Sequence, residues 1–319
     1  MTSAPRGIAS SIVDVVARAL VELGATPRTY DAVGGYVPGP VADALINAAA
    51  DELGDPAIGL TVARHLVPGI LGPIDYALLT AATWGEALQR AAQFYAVVSD
   101  RVAMSLEPHG DEVHAVQRRI SLDMNNRHWI EVTFGVLTQR GRQLIGSEFR
   151  LRGVTFVHPA PSTTVRHQEV FAAPVLFEQT VDRLIFDKAL LDAPLRTRVA
   201  TLAETVESQL SELVPAAMDP AMIRVRAALV RAIDDATATL DAVARQLGVS
   251  PRSLQRLLQD HGSSFKQLLD ELRRDRALAL LREGKHTVAE VGAKVGFADV
   301  TGFIRAFRRW TGKTPGQAS

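Results

Sequence analysis

A chain of 319 residues, 47% hydrophobic and 22% charged, is long enough for two domains with their own cores and has the balance of a folded rather than a disordered protein. It contains no cysteine, which excludes disulfides, thiolate metal sites and cysteine nucleophiles and fits a reducing compartment. The net charge of zero hides a division: residues 1–221 hold 18 basic and 25 acidic side chains, a net of −7, whereas residues 222–319 hold 17 and 10, a net of +7, so the last third suits a polyanionic partner.

The N-terminus, MTSAPRGIASSIVDVVARAL, is interrupted by Asp14 and Arg18 and does not read as a secretory signal. No apolar run approaches the ~20 residues of a membrane-spanning helix. A cytoplasmic protein without membrane contact is expected. Helical periodicity covers about 8–23, 39–53 and 56–66, each segment closed by nearby glycine or proline, and two more helical segments lie within 76–100, with Thr83 as a cap. Residues 101–120 alternate on either side of Pro108-His109-Gly110-Asp111 and predict a hairpin. A helix over about 125–145, a strand in 152–161 and two short strands with a turn in 174–191 follow. The first 213 residues therefore read as an α+β domain, helices around a small antiparallel sheet.

Within this domain, His109 and His114 flank Asp111 and Glu112, but a hairpin tip places them in solvent rather than around a metal. His128 and His158 read as single structural histidines. Tyr76, Trp84, Phe94, Tyr95, Trp129 and Phe134 suit either a ligand pocket or an ordinary core. No phosphate-cradling glycine loop, G-x-S-x-G elbow or H-E-x-x-H pair is present, so nothing marks an enzyme, a metal site or a cofactor. Residues 195–213 predict a helix with Val199, Leu202, Val206 and Leu213 along one seam, which serves either a dimer interface or packing on its own domain. VPAAMDP, 214–220, reads as a linker at the charge boundary.

The remainder, 221–319, contains one plan twice. TLDAVARQLG and VSPRSLQRLLQDHG give a bracing helix with the small Ala244, a turn at Gly248 and a helix anchored by Leu254, over about 239–261. TVAEVGAKVGFADVTGFIRAFRRW repeats this over about 287–310, with Gly292 in place of Ala244, a turn at Gly296 and Phe303, Phe307 and Trp310 inside. Between them, SSFKQLLDELRRDRALALLREG predicts a helix of roughly 30 Å with one continuous apolar face of Phe265, Leu268, Leu269, Leu272, Ala279 and Leu280. Such a spacer matches the ~34 Å turn of B-DNA and would let two helices enter successive major grooves.

LDAVARQLGVSPRSLQRLL, SFKQLLDELRRDRALALL and VAEVGAKVGFADVTGFIRAFRRWTGKTP resemble the DNA-binding domain of the AraC/XylS family of bacterial transcription regulators over essentially all of 222–317. DPAIGLTVARHLVPGILGPIDYALLTAATWGEALQRAAQFYAVVSD, VTFVHPAP and LIFDKALLDAPL are similar to the arabinose-binding-like effector and dimerisation domain of one large branch. The resemblance implies a non-enzymatic regulator, an activator by family tendency. Its partners would be double-stranded DNA, a small-molecule effector, a second copy and RNA polymerase. An N-terminal domain that only dimerises, or one with enzymatic activity, are the competing readings.

By position in the family motif, Arg252, Gln255 and Arg256 are base-contact candidates, and Ser253 shares their face. Arg pairs bidentately with guanine and Gln with adenine. Thr301 and Arg305 are the candidates on the second helix, with Asp299 as its cap. Gln259, Arg308, Arg309 and Lys313 read as phosphate contacts. Gly302 departs from the family pattern, offers no side chain to a base, and shifts the expected share of base readout to the first helix.

Overall fold

The computed structural model describes residues 7–121, 126–196, 205–206, 208–210, 220–282 and 284–318. It divides into two units, Met1–Arg118 with Asn125–Pro215, and Arg119–Met124 with Ala216–Ser319. Among the described residues no helix is long and apolar enough to cross a membrane.

Proline, glycine and capping side chains set the helices of the first unit. After the short strand β1 (Ile8–Ala9) come α1 (Ser10–Glu22), β2 (Tyr36–Val37) and α2 (Gly39–Leu53). Helix α2 has proline in its first turn and ends on Gly54 in the left-handed conformation. Helices α3 (Ile58–His65), α4 (Pro73–Leu79) and α5 (Trp84–Phe94) follow, the last capped by the Thr83 hydroxyl, which accepts from the Glu86 amide. The hairpin β3 (Val102–His109) and β4 (Glu112–Arg119) turns at Gly110, whose φ of +64° suits glycine. Helix α6 (Arg127–Ile145), β5 (Leu151–Thr155), α7 (Val165–Phe171), β6 (Val175–Leu176) and β7 (Asp182–Asp187) complete the regular elements.

The main sheet has the order β3-β4-β7-β5-β6. Strand β7 lies antiparallel to β4, with Val113 opposite Phe186, and antiparallel to β5, with Val154 opposite Leu184. The edge pair β5–β6 is parallel, so the sheet is mixed rather than purely antiparallel. A parallel neighbour needs a crossover, and α7, a helix not expected from the sequence, supplies it. Leu184 and Phe186 point into the core, where Trp84 packs edge-on against Phe149 and Phe186 at centroid distances of 5.5 and 6.2 Å. Helices α3 and α6 approach closely because their contact is built from small residues. A Cβ added to Gly135 would lie 2.6 Å from the Ala63 Cβ, and one on Gly59 would lie 2.3 Å from the His128 carbonyl oxygen.

The predicted seam helix over 195–213 falls largely outside the described residues. Val199, Leu202 and Leu213 are outside them, as are linker residues 214–219, while Val206 and Leu210 are described and buried. Pro220, expected in the linker, already opens a helix, α8 (Pro220–Asp234). The second unit continues with α9 (Leu240–Leu247), α10 (Pro251–Asp260), α11 (Phe265–Arg282), α12 (Val288–Lys294) and α13 (Val300–Thr311).

This helical unit has two apolar cores. One gathers Leu229 and Ile233 of α8, Val243 and Ala244 of α9, Leu254 and Leu258 of α10, and Leu268 and Leu272 of α11. The other gathers Ala277 and Leu281 of α11 with Val291, Val295, Phe303 and Phe307. Helix α11 therefore has two buried faces instead of the single face read from its sequence. Leu268 and Ala277 are nine residues apart, which at ~100° per residue puts them on opposite sides of the helix. Leu280 is only partly buried, while Ala277 and Leu281 enter the second core.

Candidate DNA-binding surface

The two helix-turn-helix segments fold by the same hydrogen bonds. In the first, α9 is capped by Thr239 and ends at Gly248, with φ of +70°; the Val249 amide donates back to the Ala244 carbonyl at 3.0 Å. In the second, Thr287 and Glu290 form a reciprocal capping box and Gly296 has φ of +84°. There the Phe297 amide donates to the Gly292 carbonyl, also at 3.0 Å. Each turn thus closes by the same five-residue return bond. The second turn is one residue longer before its cap.

The next helices start on side-chain caps: Ser250 accepts from the Ser253 amide, and Asp299 accepts from the Gly302 amide at 2.7 Å. Counted from these caps, the fourth residue is the buried anchor in both, Leu254 and Phe303. The exchange of Ala244 for Gly292 on the bracing helix follows from that anchor. A Cβ on Gly292 would sit 3.1 Å from the Cβ of Phe303 and 3.2 Å from its ring, so the larger phenyl group requires the smaller partner. Phe303 also meets Phe307 and Phe297 at 5.6 and 5.7 Å, and Trp310 closes over Phe297 at 5.8 Å.

Away from the anchors the surface is polar. Arg252, Ser253, Gln255, Arg256 and Gln259 are all exposed on α10, and Thr301, Arg305, Arg308 and Arg309 are exposed on α13. Ser253 spends its hydroxyl on Ser250 at 2.8 Å. Among the described residues, Arg252, Gln255, Arg256, Gln259, Arg305 and Arg308 have no side-chain hydrogen bond or ion pair within the protein. Arg309 differs: its guanidinium pairs with Asp270 of α11 at 3.0 Å, which ties α13 to the spacer. Arg273 of α11 makes a second tie, donating to the Gly296 carbonyl at 3.0 Å while stacking over Phe297 at 5.0 Å. Lys313 is exposed just beyond the end of α13. Gly302 does not break its helix; the space a Cβ would take is held by the capping carboxylate of Asp299, 3.0 Å away.

Ile304 is exposed on α13 at the place that Gln255 holds on α10, five residues after the cap. Apolar periodicity had no reason to set it apart from the anchors around it; the exposure of the folded helix does.

In the N-terminal unit, polar chemistry is buried rather than displayed. Glu131 on α6 is fully buried between His128 Nδ1 at 3.2 Å and His167 Nε2 at 3.1 Å, with His158 Nε2 at 3.9 Å. His128 and His158 are therefore parts of one cluster, not isolated side chains. Burial pushes the Glu131 carboxyl up, but the hydrogen bonds from His128 and His167 outweigh it and hold it below its ordinary range. Burial likewise lowers the His158 imidazole and favours its neutral form. His114, expected in solvent, is buried on β4 because that strand is covered on both faces, and it stacks on the exposed His109 at 4.2 Å. Arg140 is fully buried and doubly bonded to Asp75 at 2.7 and 2.8 Å, which fixes α4 against α6. Of the aromatic candidates, Trp84, Phe94, Tyr95, Trp129 and Phe134 are core residues and Tyr76 is exposed. Among the described residues no group of three or more histidine, aspartate or glutamate side chains is arranged to hold a metal ion.

Comparisons with known proteins agree with both halves. Residues 15–195 match the family described as the arabinose-binding domain of AraC transcription regulators, N-terminal, and residues 243–319 match a helix-turn-helix domain family. The chain is 29% identical to an ornithine utilization regulator of Pseudomonas aeruginosa over 323 residues, covering 98% of this chain and 94% of the relative. It is 27% identical to the transcriptional regulator VirS of Mycobacterium tuberculosis over 294 residues, covering 86% of this chain and 81% of that one. The crystal structure of the regulator CdpR from Pseudomonas aeruginosa aligns over 96% of this chain and 97% of its own, at 23% identity and a TM-score of 0.48.

Proposed function

The chain belongs to the AraC family of transcription regulators and is a DNA-binding protein of that non-enzymatic family; on that premise we propose that it is a ligand-responsive, sequence-specific activator whose two helical heads enter successive major grooves. The observation that carries the reading is the paired set of outward faces. Arg252, Gln255, Arg256 and Gln259 on one head, and Arg305 and Arg308 on the other, are exposed and left without partners inside the protein. A free arginine suits guanine and a free glutamine suits adenine, while Thr301 offers a hydroxyl to either kind of base. Gln259, Arg308 and Lys313 serve the phosphates. The 18 residues of α11 span about 27 Å, comparable to the ~34 Å repeat of the duplex.

In this reading the N-terminal domain senses a small molecule, the active species is a homodimer in the cytoplasm, and the DNA-bound form recruits RNA polymerase. The similarity to a protein named as an ornithine utilization regulator is the reason to test ornithine first among effectors. Gel-shift titration of the full chain on fragments from its own promoter region tests the DNA part. Binding should weaken steeply with salt. Absence of any specific complex at low salt, from folded protein, would overturn it. Thermal unfolding against a panel of amino acids, metabolites and fatty acids tests the sensor. One compound should raise the melting temperature in a dose-dependent way. A flat panel, with dimerisation intact, would support a domain that only dimerises.

A further inference from the structure

We propose that Ile304 is a specificity-determining residue of the second head and reads the 5-methyl group of a thymine. The inference rests on the reading of α13 as a groove-entering helix. Superposing the two heads by their caps puts Thr301 with Arg252, Gly302 with Ser253, Ile304 with Gln255, Arg305 with Arg256 and Arg308 with Gln259. The anchors Leu254 and Phe303, and then Leu258 and Phe307, coincide and are buried in both, so the outward positions coincide as well.

Where the first head presents an amide, the second therefore presents a branched aliphatic chain, 36% exposed. Single exposed hydrophobic residues are ordinary on protein surfaces. This one is singled out by its place among Thr301, Arg305 and Arg308. Val300, one turn earlier and 39% exposed, extends the same apolar strip. The only other large hydrophobic side chain of the helical unit as exposed, among the described residues, is Val249, in the turn of the first head.

The chemistry leaves one base partner. In the major groove guanine shows acceptors, cytosine a donor and adenine one of each, whereas thymine shows a methyl group beside its O4. Isoleucine neither donates nor accepts a hydrogen bond. Laid against guanine, cytosine or adenine it would strip water from polar edges and return nothing; against thymine it covers a methyl group.

The test uses the full chain throughout. Binding sites are selected from a randomised duplex library, and each thymine of the selected site is then replaced singly by deoxyuridine, which removes only the methyl group. One replacement is expected to weaken wild-type binding about fourfold, equivalent to the ~0.8 kcal/mol of one buried methylene-sized group at ~1.4 kcal/mol per tenfold. The same replacement should leave Ile304→Ala unchanged, and Ile304→Gln should select adenine at that position, as the glutamine of the first head can. Because the side chain is exposed, all variants should keep the wild-type melting temperature. The proposal is overturned if no deoxyuridine weakens wild-type binding, or if Ile304→Ala loses as much as the wild type. If no sequence is enriched at all, the DNA-binding reading of the whole surface fails, and this proposal with it.

Discussion

Set side by side from their caps, the first head shows solvent Arg252, Ser253, Gln255, Arg256 and Gln259, and the second shows Thr301, Gly302, Ile304, Arg305 and Arg308. Their interiors differ in size but not in plan, with Ala244 and Leu254 sharing one core and Gly292 lying against Phe303 in the other. The backbone is set by the turn glycine, the cap and the buried anchor, so the outer face is free to change without cost to folding. Only Arg256 and Arg305 keep the same residue at the same place. The two heads share a scaffold and differ on their exposed faces.

The largest effect expected from breaking this comparison is on stability. Phe303→Ala should cost about 3–5 kcal/mol, since it empties the centre of the second core. If the heads have separate cores, hydrogen exchange of the full chain will lose protection in α12 and α13 while α9 and α10 keep theirs. Equal loss in both heads would show that the two cores unfold as one through α11.

A smaller effect concerns binding. Gln255→Ala should cost about 1–3 kcal/mol on the selected site and relax the base preference at one position. Thr301→Ala should cost less, because a single hydroxyl cannot make a bidentate contact. Anisotropy titrations on matched and mismatched sites measure both, and equal costs would contradict a dominant first head.

The smallest expected difference separates two neighbouring arginines. Arg308→Ala should reduce the slope of log affinity against log salt by about 1, as loss of one phosphate contact does. Arg309→Ala should change that slope less, because its guanidinium is already committed to Asp270. Equal changes would mean that the ion pair opens when DNA binds.

The helix-turn-helix plan was legible in the chain because its signals are local. Gly248 and Gly296, the caps Ser250 and Asp299, and the anchors Leu254 and Phe303 all fall within about one helical turn of the geometry they set. What escaped the sequence depends on distant partners. Arg309 meets Asp270 across 39 residues. The two-sided burial of α11 was hidden because two cores share one helix, and a search for a single stripe merges them. In the N-terminal domain His128 and His158 read as single histidines until the fold gathers them, together with His167, on Glu131. The parallel β5–β6 edge was missed because β6 has only two residues, too few to show an alternation.

By itself the sequence determined the family, the two-part division of charge and the repeated helix-turn-helix plan, because helix starts, glycine turns and periodic anchors act over a few residues. The tertiary structure decided which side chains on that plan are left free. It buried His114 on a strand covered on both sides, committed Arg309 to an ion pair, and left Ile304 exposed at the place that Gln255 holds on the first head. Those outcomes turn on which partners folding brings within a few ångströms, and spacing along the chain does not specify them.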